Sequence, residues 1–260
     1  MVTRFRVRTN RPTECLNLHV SSISPLPKSY SVAFNDPNWK NVMSDEYNAI
    51  LKNNTWTLVP RPTDVNIVHC MWLFCHKFLA DGTLSHYKAC LVMNGSTRVE
   101  GIDVDETFRP VVKLGTIWTV LSLALSRHLS VYQLNVKNAF LHGDLVEIVY
   151  MHQPPRFQDP THPDHVCLLH RSVYGLKQAP RAWFQRLATY ITRVGFSHSR
   201  CDLSLFIYKH GTNTAYLLLY VDDIVLTAEI LLQQIIASLH QEFSMTDLCS
   251  LNFFRHLSYT

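Results

Sequence analysis

The chain has 260 residues, of which 47% are hydrophobic and 17% are charged, with 8 Gly and 12 Pro. This is the composition of a globular protein with enough apolar side chains for one large or two small cores. The net charge of +4 permits a polyanionic partner without requiring one, so charge alone does not identify a nucleic-acid-binding protein. The 7 Cys are odd in number and scattered, and we recognise no signal peptide, which favours a reduced cytosolic or nuclear setting over a disulfide framework.

The N-terminal part predicts a loose leader followed by a packing helix. Residues 1–29 mix Arg, Thr, Pro and Ser without periodicity, which is typical of a leader. From Asp36-Pro37 onward, apolar residues recur at helical spacing. One helix face collects Trp39, Val42, Met43, Tyr47, Ile50 and Leu51. The pattern predicts a helix whose role is to pack against a core.

A small antiparallel lobe is predicted next. The segment Ile67–Leu79 alternates as a strand does, Asp81-Gly82 is a strong signal for a hairpin turn, and Tyr87–Met93 forms the returning strand. Within this lobe, His69-Cys70 and Cys75-His76 offer the side chains that zinc prefers. Residues 70 and 75 differ by an odd number, so they point to opposite faces of a strand, and a short Cys-x-x-Cys loop is absent. We therefore favour buried or half-exposed side chains over a zinc site.

The middle of the chain predicts a buried helix and then a strand. Thr116 is expected to cap a helix whose apolar residues cover much of its circumference, so that the helix lies in a core. Those residues are Ile117, Val120, Leu121, Leu123, Ala124 and Leu125. The strand that starts at Val131 gives way to a polar turn and then to Phe140. After Tyr150-Met151, the segment from Pro154-Pro155 to His165 predicts a surface loop.

The segment Ser172–Phe184 runs into a helix that Gly195 is expected to end. Gly175 permits a ligand to approach the backbone closely, while Lys177 and Arg181 place positive charge at the start of the helix. A phosphate group would be well placed there. Taken alone, the pattern favours an ordinary basic helix start. A last helix is predicted over Leu231–Phe243.

Two adjacent acids, Asp222 and Asp223, interrupt the apolar stretch Thr214–Thr227. Strand-forming residues on both sides predict a tight β-hairpin whose turn carries both acids to the edge of a sheet. Burial of two neighbouring carboxylates is so unfavourable that the pair requires compensating cations, such as Mg²⁺, or a water-filled cleft. A solvated Asp-Asp turn is the alternative. The acids also break any span of the ~20 residues that a membrane helix needs, which predicts a soluble protein.

Four stretches occur in a fixed order: the basic two-stranded lobe, Leu134–Phe140, Tyr174–Pro180 and Tyr220–Asp223. In this order they resemble the reverse transcriptase of copia-type LTR retrotransposons. The resemblance covers about residues 30–254. Its most specific parts are Tyr-Gly-Leu-Lys-Gln-Ala-Pro-Arg-Ala-Trp and Tyr-Val-Asp-Asp.

The resemblance implies an α+β fold with the right-hand polymerase architecture, in which helices pack on an antiparallel sheet. It implies a loose leader at 1–29, a fingers-like lobe with part of the palm at 30–130, the palm at 131–254 and an aberrant C-terminal tail at 255–260, with the thumb largely missing. The implied activity is that of a nucleotidyltransferase, an RNA-directed DNA polymerase that extends a primer 3′ end under two Mg²⁺ ions. The implied partners are an RNA or DNA template–primer and deoxynucleoside triphosphates. The implied setting is a cytoplasmic virus-like particle or the nucleus, with no membrane.

Site residues carry over from the family position by position. Asp222 and Asp223 match the metal ligands of the hairpin, and Phe140 matches the aromatic residue that lies under the incoming sugar and excludes a ribose 2′-hydroxyl. The residues that match nucleotide-binding or template-binding positions are Lys88, near the triphosphate, and Gly175, Lys177 and Gln178, in the loop beside the template and nucleotide.

The chain departs from the family at Asn135, where the pattern Leu-Asp-Val-Lys-Asn-Ala-Phe has an Asp. An amide offers one weak oxygen ligand and directs two N–H donors toward a cation. The metal site therefore loses a full negative charge where two divalent ions must be held together. We predict that polymerase activity is reduced by several orders of magnitude or absent. The alternative is that Asn135 still serves with Mn²⁺ or with a shifted acid.

Two further departures from the family pattern indicate a degraded retrotransposon. The family tends to carry Arg at the positions of Cys75, Cys90 and Trp118, so these replacements weaken the basic lobe. A single G:C to A:T transition would account for each of these changes and for Asn135 as well. The segment Arg255–Thr260 replaces the family's Leu-Gly-Ile-Ser-Val-Thr, and one nucleotide stretch encodes both endings in different frames. We therefore expect a frameshift after Phe254.

These observations favour a truncated, catalytically impaired remnant of a retrotransposon reverse transcriptase, that is, a pseudoenzyme. One alternative is a functional polymerase. The other is a non-catalytic protein that keeps the palm fold to bind nucleic acid or another partner.

Overall fold

A computed structural model describes residues 23–94, 112–211, 213–228 and 232–250. Within these ranges the fold is α+β, as predicted: five α-helices accompany three sheets, and every pair of neighbouring strands but one is antiparallel. The residues assigned to the aberrant tail lie outside the described ranges. No helix in these ranges combines the length and the apolar character that crossing a membrane requires.

The first helices and the hairpin form one unit. The elements are α1 (Tyr30–Asn35), α2 (Pro37–Lys52), β1 (Trp56–Val59), β2 (Ile67–Val68), β3 (Cys70–Phe78) and β4 (Leu84–Met93). Asp36 caps α2 by accepting hydrogen bonds from the backbone amides of Asn38 and Trp39 at 2.9 and 3.2 Å, which confirms the predicted start. The prediction that Leu51 packs was wrong, because its side chain is 45% exposed.

The predicted hairpin around Asp81-Gly82 is confirmed, and β3 pairs with β4 along their length. Gly82 adopts a φ of +83°, which the turn requires and glycine tolerates. The prediction of one strand over Ile67–Leu79 was wrong. Ile67 and Val68 are both buried and pair in parallel with another sheet, so the chain changes partner before the alternating strand begins.

A four-stranded sheet in the order β1-β7-β6-β2 supports this unit, where β6 is Asp144–Met151 and β7 is Val166–Arg171. Between β6 and β7 lies the predicted surface loop. The buried side chain of Gln153 holds this loop, since it donates to the carbonyls of His162 and His165 at 2.8 and 2.9 Å and accepts from the amide of Asp159.

The second unit is a six-stranded sheet in the order β12-β5-β11-β10-β9-β8. Its strands are β5 (Ser130–Val136), β8 (Phe196–His198), β9 (Leu205–His210), β10 (Asn213–Tyr220), β11 (Asp223–Ala228) and β12 (Met245–Ser250). Side chains alternate between the two faces. Leu217 and Leu226 pack toward α4 (Ala179–Val194) and α5 (Leu232–Glu242), whereas Leu218 and Val225 pack toward α3 (Leu114–Ser126).

Helix α4 lies against the sheet through Trp183, Leu187 and Ile191 and ends at Gly195, whose φ of +111° confirms the predicted stop. An ion pair between Arg186 and Glu242 joins α4 to α5. The hydroxyl of Tyr190 on α4 also donates to the carbonyl of Ser238 on α5 at 2.8 Å. These contacts fix the two helices on the same face of the sheet.

Two predictions for α3 were wrong. The helix begins at Leu114, so Thr116 lies inside it rather than capping it, and its hydroxyl donates to Oδ2 of Asp202 at 2.6 Å. The helix is not buried around its circumference either, because Trp118 is 62% and Leu125 is 79% exposed. It covers only one face of the sheet, so its opposite side has no described layer to pack against.

Candidate active site

The turn that joins β10 to β11 consists of Val221 and Asp222, with Tyr220 directly opposite Asp223. Val221 has a φ of +57°, a region that a β-branched residue rarely adopts. The indole Nε1 of Trp183 donates a 2.7 Å hydrogen bond to the carbonyl oxygen of Val221. Trp183 on α4 therefore supports a strained turn, and strain of this kind clusters at functional sites.

Both acids lie where the sequence predicts, at the end of a tight hairpin, and both are partly exposed. The carbonyl of Asp222 accepts from the amide of Val136 at 2.8 Å, which ties the turn to the neighbouring strand β5. Asp223 is the first residue of β11 and stands directly across from Asn135 on β5. The sheet register thus brings the two acids and Asn135 together.

The side chain of Asn135 is oriented by Asp223. Its Nδ2 donates a hydrogen bond to Oδ1 of Asp223 at 3.0 Å. An amide that donates to a carboxylate presents an N–H group, not a third anionic oxygen, to the same space. The turn and its neighbouring strand therefore offer two carboxylates, and an amide N–H stands where a third carboxylate would add a negative ligand. Within the described ranges no group of three or more His, Cys, Asp or Glu side chains could hold a metal ion.

A cleft of about 480 Å³ opens beside this turn. It contains three of the predicted site positions, Lys88, Asn135 and Asp222. The wall is completed by helix α2, strand β4 and the end of β5. Its other lining residues are Val42, Asp45, Glu46, His86, Tyr87, Ala89, Val136, Lys137, Asn138, Tyr174 and Thr246. The cleft therefore mixes acidic and basic side chains.

Phe140 lies in a 3₁₀ turn, Ala139–His142, directly after β5. Its ring meets the ring of Tyr174 edge-on, with centroids 5.0 Å apart and an interplanar angle of 62°. The hydroxyl of Ser172 donates to the carbonyl of Phe140 and fixes this turn. Tyr174 lines the cleft, so Phe140 stands behind a cleft wall.

Packing gives a second reason for glycine at position 175, beside the predicted approach of a ligand. A side chain there would meet Val92 Cγ1 at 2.8 Å and the amide of Met93 at 2.9 Å, and the φ of Gly175 is +92°. The backbone of β4 fills the space, since the amide of Met93 donates to the carbonyl of Tyr174 at 2.7 Å. Glycine is required here because two chain segments touch.

Lys177 and Gln178 do not line the cleft. Lys177 is exposed, and Gln178 occupies the N-cap position of α4, where its carbonyl accepts from the amide of Ala182 at 2.9 Å. The two cysteines of the possible zinc site differ in exposure. Cys75 is exposed, whereas Cys70 is half-buried and has its pKa raised to about 12 by burial.

Glu46 is a site residue that the sequence reasoning missed. It is 7% exposed and lies on the buried face of α2 with Trp39, Met43 and Ile50. Burial raises the pKa of its carboxyl to about 7, against smaller lowering effects from the backbone amide of Leu91 and from Lys88. An acid within an apolar helical stripe was the signal that could have found it.

Comparison with known proteins agrees with this geometry. The sequence model of the family described as reverse transcriptase (RNA-dependent DNA polymerase) matches residues 53–259. The chain is 43% identical over 258 residues to the retrovirus-related Pol polyprotein from transposon RE2 of Arabidopsis thaliana, which covers 98% of this chain and 18% of that protein. The figures for the polyprotein from transposon RE1 of the same plant are the same.

The polyprotein from transposon TNT 1-94 of Nicotiana tabacum is 40% identical over 209 residues, which is 79% of this chain and 16% of that protein. The chain thus spans about a fifth of the length of the curated relatives it matches. With a family match over most of its residues, the chain belongs to the reverse transcriptase (RNA-dependent DNA polymerase) family and is a reverse transcriptase domain of the copia-type retrotransposon Pol polyprotein.

Proposed function

We propose that this domain descends from an enzyme that copied a template into DNA and that its own polymerase activity is strongly impaired. The observation that carries the proposal is the hydrogen bond from Asn135 Nδ2 to Asp223 Oδ1. An Asp at this position would place a third carboxylate beside Asp222 and Asp223. The amide instead carries no charge and donates to Asp223, so the site lacks the third negative charge that would attract divalent ions.

The same proposal assigns the two units of the fold. The six-stranded sheet with α4 and α5 corresponds to the palm, and the β3–β4 hairpin with α2 corresponds to the fingers. The cleft between Lys88 and Asp222 is then the place for a deoxynucleoside triphosphate, with the primer end and its RNA or DNA template beside it. The family's setting, a cytoplasmic virus-like particle or the nucleus, is part of this proposal.

Each cleft residue has a role that its position supports. Lys88 would bind the phosphate groups by charge, because its ammonium is a flexible point charge on the cleft wall. Tyr174 would form the wall that a ribose 2′-hydroxyl cannot enter, and the ring of Phe140 would support it from behind. Two divalent cations would supply stabilisation of the attacking and leaving oxygens in a working relative.

Primer extension tests the proposal. With Mg²⁺ and a primed template, we expect no measurable synthesis by the native chain and a gain of at least about a hundredfold over that background for Asn135→Asp, because the third carboxylate is restored. Asn138→Asp is the matched control, since it adds the same charge to the same cleft without facing Asp223. Robust synthesis by the native chain would contradict the proposal.

A second candidate function is retained binding without catalysis. The cleft contains Lys88 and Lys137 although Asn135 replaces the third acid. The chain would therefore keep a surface for a polyanion after loss of the metal site. A binding protein of this kind would hold template–primer in the absence of divalent ions. Its affinity would fall steeply with salt, since each phosphate contact releases counter-ions. Affinity that is independent of salt would exclude this candidate.

A further inference from the structure

Glu46 is a buried carboxyl group with unfinished hydrogen bonding. Its Oε1 has no hydrogen-bond partner among the described residues, and its side chain is 7% exposed. The backbone amide of Leu91 on β4 lowers the pKa of this carboxyl, against the larger effect of burial. A buried carboxylate oxygen without a partner is costly, so this position calls for a donor that the present arrangement does not supply.

Few groups around Glu46 can donate or carry charge. They are Asp45 on the same helix, Lys88 and Cys90 on β4, and Tyr174 on the segment before α4, with His86, Lys137 and Asp222 farther along the cleft. Cys90 stays a neutral thiol, because burial raises its pKa to about 11 and the Glu46 charge contributes to that rise. Lys88 is the cation whose charge lowers the pKa of Glu46.

Lys88 lines the same cleft as Glu46 and carries the positive charge that acts on it. It is half-buried in the middle of β4, lines the same cleft, and makes no ion pair with a described residue. Its four-carbon stem can change rotamer without moving the strand. The pairing requires a change of Lys88 rotamer that turns Nζ toward Oε1 of Glu46, which has no partner among the described residues.

We propose that Glu46 is a positioning residue for Lys88: its carboxylate accepts a hydrogen bond from the ammonium group and holds it on the cleft wall where the phosphate groups of a nucleoside triphosphate bind. This inference rests on the proposed function for the ligand, whereas the pairing of the two side chains does not. Glu46 itself does not touch the nucleotide. It reduces the number of rotamers that Lys88 samples, so less conformational entropy is lost when phosphate binds.

The direction in which dTTP affinity changes when Glu46 is replaced distinguishes a carboxylate that positions Lys88 from one that only lies near the triphosphate. A carboxylate that merely lies near a triphosphate repels it, so its removal tightens binding. A carboxylate that holds the phosphate-binding cation does the reverse. We therefore expect Glu46→Gln to weaken binding of dTTP at pH 8 by about tenfold, the size expected for loss of a charged hydrogen bond. Asp45→Asn, which removes an exposed acid from the same helix and cleft, should leave dTTP affinity equal or slightly higher.

The coupling is tested with Lys88→Met and the double variant. In the Lys88→Met background, Glu46→Gln should cause no further loss of dTTP affinity, because the group that Glu46 positions is gone. The difference in dTTP affinity between the native chain and Glu46→Gln should also vanish at pH values well below the Glu46 pKa, where the carboxyl is protonated. Protonation of the nucleotide affects both proteins equally and so does not contribute to this difference. Tighter binding by Glu46→Gln, or additive losses in the double variant, would overturn the proposal.

A measurement without nucleotide keeps the pairing separate from the proposed function. Carbon-13 NMR of labelled Glu reports the pKa of the Glu46 carboxyl directly. Lys88→Met should raise that pKa, whereas Lys137→Met, which removes another cation of the cleft, should change it much less. Equal or absent changes would overturn the pairing. If the pKa responds as expected but no variant binds dTTP, the pairing stands and the proposed function fails.

Discussion

The amide of Asn135 on β5 faces the carboxylate of Asp223 on the neighbouring strand β11. The 3.0 Å hydrogen bond from Asn135 to Asp223 joins the two groups without any cation, whereas two facing carboxylates would repel each other. A difference of one functional group thus changes what the turn requires from its surroundings. With Asp, the cluster needs cations to be stable. With Asn, the chain itself supplies an uncharged hydrogen-bond donor.

Glu46 predicts an unusual dependence of stability on pH. The pKa of its carboxyl in the folded protein is about 7, above the ordinary value of 4.5, so the folded state keeps a proton that the unfolded state loses. Stability therefore falls as the pH rises from 4.5 to about 7 and stays lower above that. We expect Glu46→Gln to be more stable than the native chain at pH ~8, by less than the ~3 kcal/mol that the pKa difference alone gives because the Lys88 ammonium offsets part of the cost, and by little at pH ~4.

Urea unfolding at several pH values measures this difference. Asp45→Asn serves as the control, because Asp45 is exposed and its replacement should shift stability by less than about 0.5 kcal/mol throughout. A constant difference between Glu46→Gln and the native chain across this pH range would show that the carboxyl does not titrate as the buried position requires.

Among the elements, the hairpin β10–β11 is the one under strain. Val221 adopts an unfavourable positive φ, and Trp183 holds the turn through its indole N–H. We expect Val221→Asn to stabilise the protein by about 1 kcal/mol, since Asn adopts the left-handed region more readily than a β-branched residue. The change in thermal midpoint reports the result. A destabilised Val221→Asn variant would show that the valine side chain contributes more than its backbone conformation costs.

The start of α3 depends on a residue far away in the chain. Asp202 accepts from the amide of Lys113 at 3.0 Å, the hydroxyl of Thr116 at 2.6 Å and the amide of Ser204 at 2.9 Å. Although burial raises the pKa of Asp202, these bonds outweigh burial and lower it. The stabilisation is therefore present above the unfolded pKa of about 3.8 and is lost as the pH falls.

Removal of this acid tests its role. Asp202→Ala should cost about 2–3 kcal/mol at neutral pH, because three donors lose their acceptor. Thr116→Val removes only one of them and should cost about 1 kcal/mol. Chemical denaturation measures both values. Equal costs for the two variants would mean that Asp202 contributes little beyond its bond to Thr116.

At the scale of the whole molecule, local sequence patterns predicted several helices and turns, whereas the arrangement of the candidate site depends on contacts between residues distant in the chain. The periodicity of α2, the Asp81-Gly82 turn and the stop at Gly195 are local features, and each was predictable. The partner of Gly175 is Met93, a contact that no spacing reveals.

The same limit applies to the acids. Glu46 lies on the apolar stripe of α2, so its burial was predictable, but Lys88 on β4 and Tyr174 before α4, which surround it, were not predictable from α2. Asn135 was predictable as a departure from the family pattern, but its hydrogen bond to Asp223 follows from the register of β5 against β11. The positions of Asp222 and Asp223 were predictable because two adjacent acids are too costly to bury inside an apolar hairpin and so mark its turn.

Binding of Mn²⁺, followed by electron paramagnetic resonance, tests the central claim most directly, since it needs neither primer nor catalysis. If Asn135 breaks the cation site, the native chain should bind Mn²⁺ weakly and Asn135→Asp should bind it at least about tenfold more tightly. Asn138→Asp, with the same charge in the same cleft, should gain less. Equal Mn²⁺ affinity for the native chain and Asn135→Asp would contradict the claim that the amide disables the site.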